Sequence, residues 1–245
     1  MFSPADYAFM SHALRLAEKG LYSTTPNPRV GCVITQNEQI VGSGWHERAG
    51  QPHAEINALR VAAVAARGAT AYITLEPCAH HGRTPPCTDA LIGAGIAKVI
   101  IAMEDPNPIV SGRGCAVLQQ AGIEVQTGLL QMDAQALNIG FVNRMIHQKP
   151  WIRIKTAASL DGKTALNNGI SQWITGKAAR RDGHQWRARS CAILTGIGTI
   201  KSDNPQLTVR HVETSRQPKK IIVDSHLDIS LDAKLLQSED EIFIF

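Results

Sequence analysis

Apolar positions at Ala8, Phe9, Ala13, Leu16 and Ala17 recur close to a helical period within residues 5–19, and Gly20 is a fitting stop. A first amphipathic helix is predicted there. Two runs with strand character follow, Val30 to Thr35 and Gln39 to Trp45, and the polar turn Gln36-Asn37-Glu38 joins them as a hairpin. Pro52 suits the opening turn of a helix, which Ile56, Leu59, Ala63 and Ala66 carry from His53 to Arg67. Further strands are predicted at 69–75, 98–103 and 123–127, with helices between them at 88–93 and 114–121. A closing helix runs from Asp133 to His147 through Leu137, Phe141 and Met145. Strands alternating with helices predict a layered α/β sheet with helices on both faces, whose ligands gather at strand ends.

Gln148-Lys149-Pro150 is a short polar break, and a proline ends the helix before it. The expected division is therefore a first domain at 1–147, a linker at 148–150 and a second domain at 151–245. Trp151 to Thr156, Lys220 to Asp224 and Glu241 to Phe245 read as strands. The pattern stops on Ile244 and Phe245 without a polar tail, so the second domain is expected to be incomplete.

The candidate chemistry lies in the first half. His53, Cys78 and Cys87 offer an imidazole and two thiols, and three such ligands leave the fourth tetrahedral position of zinc open for water. Glu55 is the informative residue, because a structural zinc module has no need of it whereas a zinc-activated water requires a proton shuttle. Together with Pro77 these residues give the His-x-Glu and Pro-Cys signature of zinc deaminases, except that residues 79–86 separate the cysteines where the short form has two. That insertion makes His80 and His81 rival ligands and sets Arg83 beside the metal. The cysteines are preferred: Cys78 ends the apolar run 71–75, and Cys87 precedes a helix whose N-terminus favours a thiolate. His53 and Glu55 fall in an opening helical turn, at the helix mouth. Asp105 and Asn107, just past the fourth strand, are placed in the pocket, with plain loop capping as the alternative.

Composition narrows the class. The chain has 245 residues, 44% apolar and 19% charged, with a formal net charge of +4. That is long enough to bury a core unaided, and its basic residues form no run of the kind a nucleic-acid groove shows. Zinc takes two of the five cysteines and leaves Cys32, Cys115 and Cys191 in apolar settings, expected as buried free thiols in a reducing compartment. No secretory signal or stretch of about 20 apolar residues is present, so a cytoplasmic location is expected, with no membrane and no nucleic-acid partner.

The stretch Pro77-Cys78-Ala79-His80-His81-Gly82-Arg83-Thr84-Pro85-Pro86-Cys87 resembles the deaminase half of the bifunctional riboflavin-biosynthesis pyrimidine deaminase/reductases. Pro26-Asn27-Pro28-Arg29-Val30-Gly31 and Glu104-Asp105-Pro106-Asn107 echo it. The resemblance implies a cytidine-deaminase-like three-layer α/β/α domain, followed by an incomplete dihydrofolate-reductase-like α/β domain that opens at Ala157-Ala158-Ser159-Leu160-Asp161-Gly162-Lys163. It further implies Zn2+ held by His53, Cys78 and Cys87, with Glu55 as proton shuttle, and Asn27, His46, Arg83, Asp105 and Asn107 on the deaminase substrate. An amide at Asn27 suits a base edge, while turn-shaping for Asn27 and a surface role for His46 stay open.

In the second half the resemblance implies NADPH against Ala157, Trp173, Thr199, Asp203 and Ser225, and a ribosyl phosphate against Ser171, Arg187, Leu207 and Arg210. The residues alone offer less: Thr195-Gly196-Ile197-Gly198-Thr199 is a small-residue loop that most often is only a turn, and exposed arginines are commonly just solvated. The implied substrate is a small pyrimidine ribonucleotide, deaminated and then reduced along its ribosyl chain, by an enzyme expected as a homo-oligomer. A chain ending at Phe245 is not expected to complete the NADPH site by itself. The nearest rival is a tRNA, nucleoside or free-base zinc deaminase, disfavoured by the long intercysteine loop and the second domain.

Overall fold

In the computed structural model, which describes residues 1–80, 85–108 and 110–245, the chain divides into two compact units, Met1–Ile152 and Arg153–Phe245. The first unit is built on a five-stranded sheet. Its strands are β1 (Gly31–Gln36), β2 (Gln39–Trp45), β3 (Thr70–Ile73), β4 (Lys98–Ile101) and β5 (Glu124–Thr127), in the order β2-β1-β3-β4-β5. β1 is antiparallel to both β2 and β3, and β3, β4 and β5 run parallel.

Side chains alternate across each strand, so consecutive residues feed different cores. Cys32 and Ile34 of β1, with Ala71 and Ile73 of β3, pack on one face with α2 (Ala54–Ala62), α3 (Cys87–Gly93) and α4 (Arg113–Gln120). Val33, Tyr72 and Ile100 pack on the other with α1 (Pro4–Glu18), α5 (Gln131–Leu137) and part of α6 (Ile139–His147). The result is the three-layer α/β/α arrangement expected. A capping box starts α1, with the Ser3 hydroxyl accepting from Asp6 N and the Asp6 carboxylate accepting from Ser3 N.

The helix that opens at the site lies unusually close to the sheet. A Cβ on Gly44 of β2 would stand 2.6 Å from Ala58 N and 2.8 Å from Ala54 O, so only glycine lets α2 pack against β2 along its alanines. Asn57 Nδ2 donates to Trp45 O at 2.9 Å and fixes the helix along the strand end. The predicted helix to Arg67 breaks earlier. Ala63 takes φ +46°, and Ala63–Ala66 continues as a 3-10 turn.

The single helix predicted at 133–147 is two helices parted at Asn138, whose buried side chain bonds the backbone of Arg29.

The second unit holds a parallel sheet, β6 (Ala192–Gly196), β7 (Lys219–Val223) and β8 (Ile242–Ile244), in that order, with α7 (Lys177–Arg189) and α8 (Ile197–Asp203). Its core gathers Ile200, Ile222, Ala233 and Leu235. Lys220 is fully buried in β7, its ammonium ion-paired to Asp240 at 3.1 Å and donating to Leu235 O at 3.2 Å. Three expectations fail here. Residues 151–156 form no strand, because they find no ladder partner among the described residues and Ile152 and Ile154 stay exposed. The predicted loop 195–199 is instead the end of β6 running straight into α8. Cys191 is exposed, since it precedes the strand rather than entering it.

Candidate active site

His53 is the residue before α2, in extended conformation, and Glu55 lies in the first turn of that helix. Cys78 follows β3 by a short loop, and Cys87 opens α3. Three separate elements therefore converge. The His53, Cys78 and Cys87 donor atoms lie within 4.8 Å of one another, with His53 Nδ1 at 3.2 Å from Cys87 Sγ and 3.6 Å from Cys78 Sγ. A tetrahedron with bonds of about 2.3 Å to sulfur and about 2.0 Å to nitrogen has N···S edges of roughly 3.5 Å, so this triangle fits zinc. His80 is described but is not part of that cluster, and the other rival, His81, lies outside the described residues, as does Arg83.

The electrostatics agree. A hydrogen bond from the Cys87 thiol, joined by His53 and the Cys87 backbone N–H at 3.4 Å, pulls the Cys78 thiol down to about 4. Sharing that hydrogen bond pushes the Cys87 thiol up, and the contact with Cys78 raises His53. Zinc ligation requires both sulfurs deprotonated, so metal binding at this cluster would release protons. Glu55 is 3% exposed, its Oε2 is buried without a hydrogen-bond partner, and burial raises its carboxyl. A buried carboxylate oxygen with nothing to bond is costly unless a ligand serves it.

Of the residues expected on the substrate, His46 and Asn27 stand beside His53. Asn27 Nδ2 is 3.1 Å from His46 Nε2, and His46 Nδ1 is 3.2 Å from Pro52 O. Donation from Nδ1 to the carbonyl leaves Nε2 to accept from the amide, so the imidazole is the neutral tautomer; burial lowers its basicity accordingly. His46 and His53 meet edge to face at 5.4 Å. Asp105 Oδ1 accepts from Asn107 N at 2.9 Å, and Asp105 N donates to Glu76 Oε2 at 3.0 Å. Burial raises the Asp105 carboxyl.

In the second unit, Arg187 Nη1 donates to Thr208 O at 2.7 Å, and Arg210 Nη1 donates to Gln206 Oε1 at 2.9 Å and Thr208 Oγ1 at 3.2 Å. Burial and the neighbouring Arg210 both lower Arg187. Leu207 is buried with φ +55°, and Ser171 Oγ is 3.4 Å from Asp203 Oδ1. Trp173 is 71% exposed, with the Arg180 guanidinium 4.4 Å from its ring centre. Ala157 is partly buried, while Thr199 and Ser225 are exposed.

Residues 3–103 match the family described as the cytidine and deoxycytidylate deaminase zinc-binding region, and residues 150–245 match the RibD C-terminal domain. The riboflavin biosynthesis protein RibD of Escherichia coli K12 is 51% identical over 248 residues, spanning 96% of this chain and 68% of the relative. The chain belongs to the RibD family. RibD of Aquifex aeolicus is 48% identical over 98% of this chain and 67% of its own length. Among solved structures, Acinetobacter baumannii RibD (form 1) superposes with a TM-score of 0.94 at 50% identity, covering 98% of this chain and 69% of that one. The Thermotoga maritima protein titled a diaminohydroxyphosphoribosylaminopyrimidine deaminase/5-amino-6-(5-phosphoribosylamino)uracil reductase gives 0.92 at 40% identity, with the same coverage.

RibD proteins act in riboflavin biosynthesis, joining a zinc-dependent deaminase to an NADPH-dependent reductase, and this chain carries regions of both. A lone tRNA or free-base deaminase is set aside by the match of residues 150–245. No described helix is long and apolar enough to cross a membrane.

Two residues of this RibD chain escape a reading of the sequence. Glu76 is 4% exposed and accepts four backbone N–H groups, and Asn138 is fully buried and holds Arg29. The only signal for either is a polar side chain in an otherwise apolar run.

Proposed function

We propose that the first unit deaminates 2,5-diamino-6-ribosylamino-4(3H)-pyrimidinone 5′-phosphate hydrolytically, with His53, Cys78 and Cys87 as the zinc ligands and Glu55 as the catalytic residue. The observation that carries this is the unpartnered, buried Glu55 Oε2 beside a tetrahedral half-shell of one imidazole and two thiols. Zinc, when bound, supplies a water acidic enough to lose its proton near neutral pH. Glu55 takes that proton and passes it to the ring nitrogen, then takes the remaining proton of the hydroxyl added to the ring carbon and passes it to the departing amine; its burial makes it a stronger base for the first task. Asn27 orients the base through its amide, held by the neutral His46, while Asp105 and Asn107 bind the ring from the strand-end loop. Arg83 is assigned to the substrate by family likeness alone.

In the second unit, Ser171, Arg187, Leu207 and Arg210 take the ribosyl phosphate, and Ala157, Trp173, Thr199, Asp203 and Ser225 face NADPH. Arg187 is lowered by burial and then by the neighbouring Arg210, and an anion between the two guanidinium groups would relieve this, which supports the phosphate role. NADPH supplies the hydride that reduces the ribosyl chain. The reading includes a cytoplasmic homo-oligomer with no nucleic-acid partner. All five cysteines are free thiols, in keeping with a reducing compartment.

The test is ammonia release from the pyrimidinone nucleotide, from cytidine and from a tRNA, each with and without a chelator. Release confined to the pyrimidinone nucleotide and abolished by the chelator is expected. Release from tRNA or cytidine at equal rate would overturn the substrate assignment.

A further inference from the structure

The two Glu76 oxygens are shared between two segments of backbone. Oε2 accepts from Asp105 N and Gly112 N, each at 3.0 Å, and Oε1 accepts from Gly114 N at 2.8 Å and Cys115 N at 3.2 Å. The carboxylate thus ties the loop that carries Asp105 to the first turn of α4. Its own backbone N–H bonds Met103 O at 3.0 Å, which fastens it to the end of β4. Gly112 turns its amide inward with φ +76°, a conformation that favours glycine.

On the other side, Glu76 precedes Cys78 by one proline. A carboxylate can accept about four hydrogen bonds, so these N–H groups use its full capacity. A group satisfied this completely on a 4% exposed side chain is rigid, and it spans the metal-ligand segment and the loop past β4.

We infer that Glu76 is the positioning residue that fixes Asp105 and Asn107 relative to the metal corner, and so sets affinity for the pyrimidine ring. This rests on the proposed placement of Asp105 and Asn107 against the substrate. Glu76 is outside the His53–Cys78–Cys87 cluster and its carboxylate is taken up by backbone amides; it acts through the amide of Asp105, on which the Asp105–Asn107 turn is built.

Steady-state deamination of the pyrimidinone nucleotide is measured for Glu76→Ala, Asp105→Asn and the double variant, each with its zinc content. Loss of a group supporting a site residue typically costs ~10–100-fold. Glu76→Ala should raise KM by about that factor, with kcat within about threefold and zinc still bound. The double variant should fall well short of the product of the two single effects, because both act through the Asp105–Asn107 turn. Multiplying effects, loss of zinc, or an unchanged KM in Glu76→Ala beside a raised one in Asp105→Asn would overturn the inference alone. An unchanged KM in Asp105→Asn would instead overturn the substrate placement beneath it, and the inference with it. Should Glu76→Ala fail to fold, amide hydrogen exchange on the wild-type chain decides. Asp105 N–H should then be protected to within about tenfold of Gly114 N–H, and exchange at the rate of an open loop would sink the proposal.

Discussion

Asn138 grips Arg29 by both of its backbone polar groups: Nδ2 donates to Arg29 O at 2.9 Å, and Oδ1 accepts from Arg29 N at 2.8 Å. One amide thus stands in for a strand partner. It holds the chain just after Asn27, so the loop that carries Asn27 is anchored by the break between α5 and α6. Asn138→Ala removes both side-chain bonds from the part-buried Arg29 backbone, at about 1–2 kcal/mol for each. Chemical denaturation should show a loss of roughly 2–4 kcal/mol, and a loss under about 0.5 kcal/mol would mean that water replaces the amide at no cost.

Glu55→Gln keeps the shape of the side chain and removes its basicity. The deamination rate should fall by about 10²–10⁴-fold, as expected for loss of a general base, while one zinc per chain remains by elemental analysis. Wild-type turnover in a zinc-loaded variant would make the carboxylate a bystander.

Cys87→Ser exchanges a soft thiolate at the start of α3 for a hydroxyl that does not ionise near neutral pH. Zinc content after dialysis should drop well below one per chain, whereas Cys191→Ser, at an exposed cysteine outside the cluster, should leave it unchanged. Equal zinc in both variants would remove Cys87 from the ligand set.

His184 is buried, with its Nδ1 accepting from Arg210 N at 3.0 Å, and Arg187, Arg210 and His211 stand close by. Burial first, then the charge of these neighbours, Arg187 foremost, depresses it to about 4. A histidine lowered on folding contributes stability that is complete above its unfolded value of about 6.5 and is lost as pH falls toward 4. The melting temperature of the second unit should therefore fall as pH drops across that window. The effect is on the order of 1 kcal/mol once solvent screening is allowed for, and His184→Gln should flatten the profile. An unaltered pH profile in that variant would assign the acid sensitivity elsewhere.

Site chemistry was legible in the chain where it demands particular residue types at short range. His53 and Glu55 are two positions apart on one helix mouth, and Cys78 and Cys87 bracket one loop, so a zinc cluster with a carboxylate beside it can be read without coordinates. The alternation of apolar runs likewise fixed the layered sheet, because buried strands and amphipathic helices carry their own periods. Residues 151–156 carried the same apolar signal and formed no strand, since a ladder needs a partner that local pattern does not specify.

What folding alone decided is the set of contacts between residues far apart in sequence. Asn138 reaches Arg29 across the first unit, Glu76 reaches residues 105–115 only once β3 and β4 lie parallel, and Lys220 finds Asp240 beside β8. Asn138 and Glu76 are buried polar groups that bond backbone atoms, and Lys220 adds the Leu235 carbonyl to the side chains of Asp240 and Ser238. Backbone is the same at every residue, so nothing in the sequence marks which amide such a side chain will meet; packing of the sheet and its helices makes that choice.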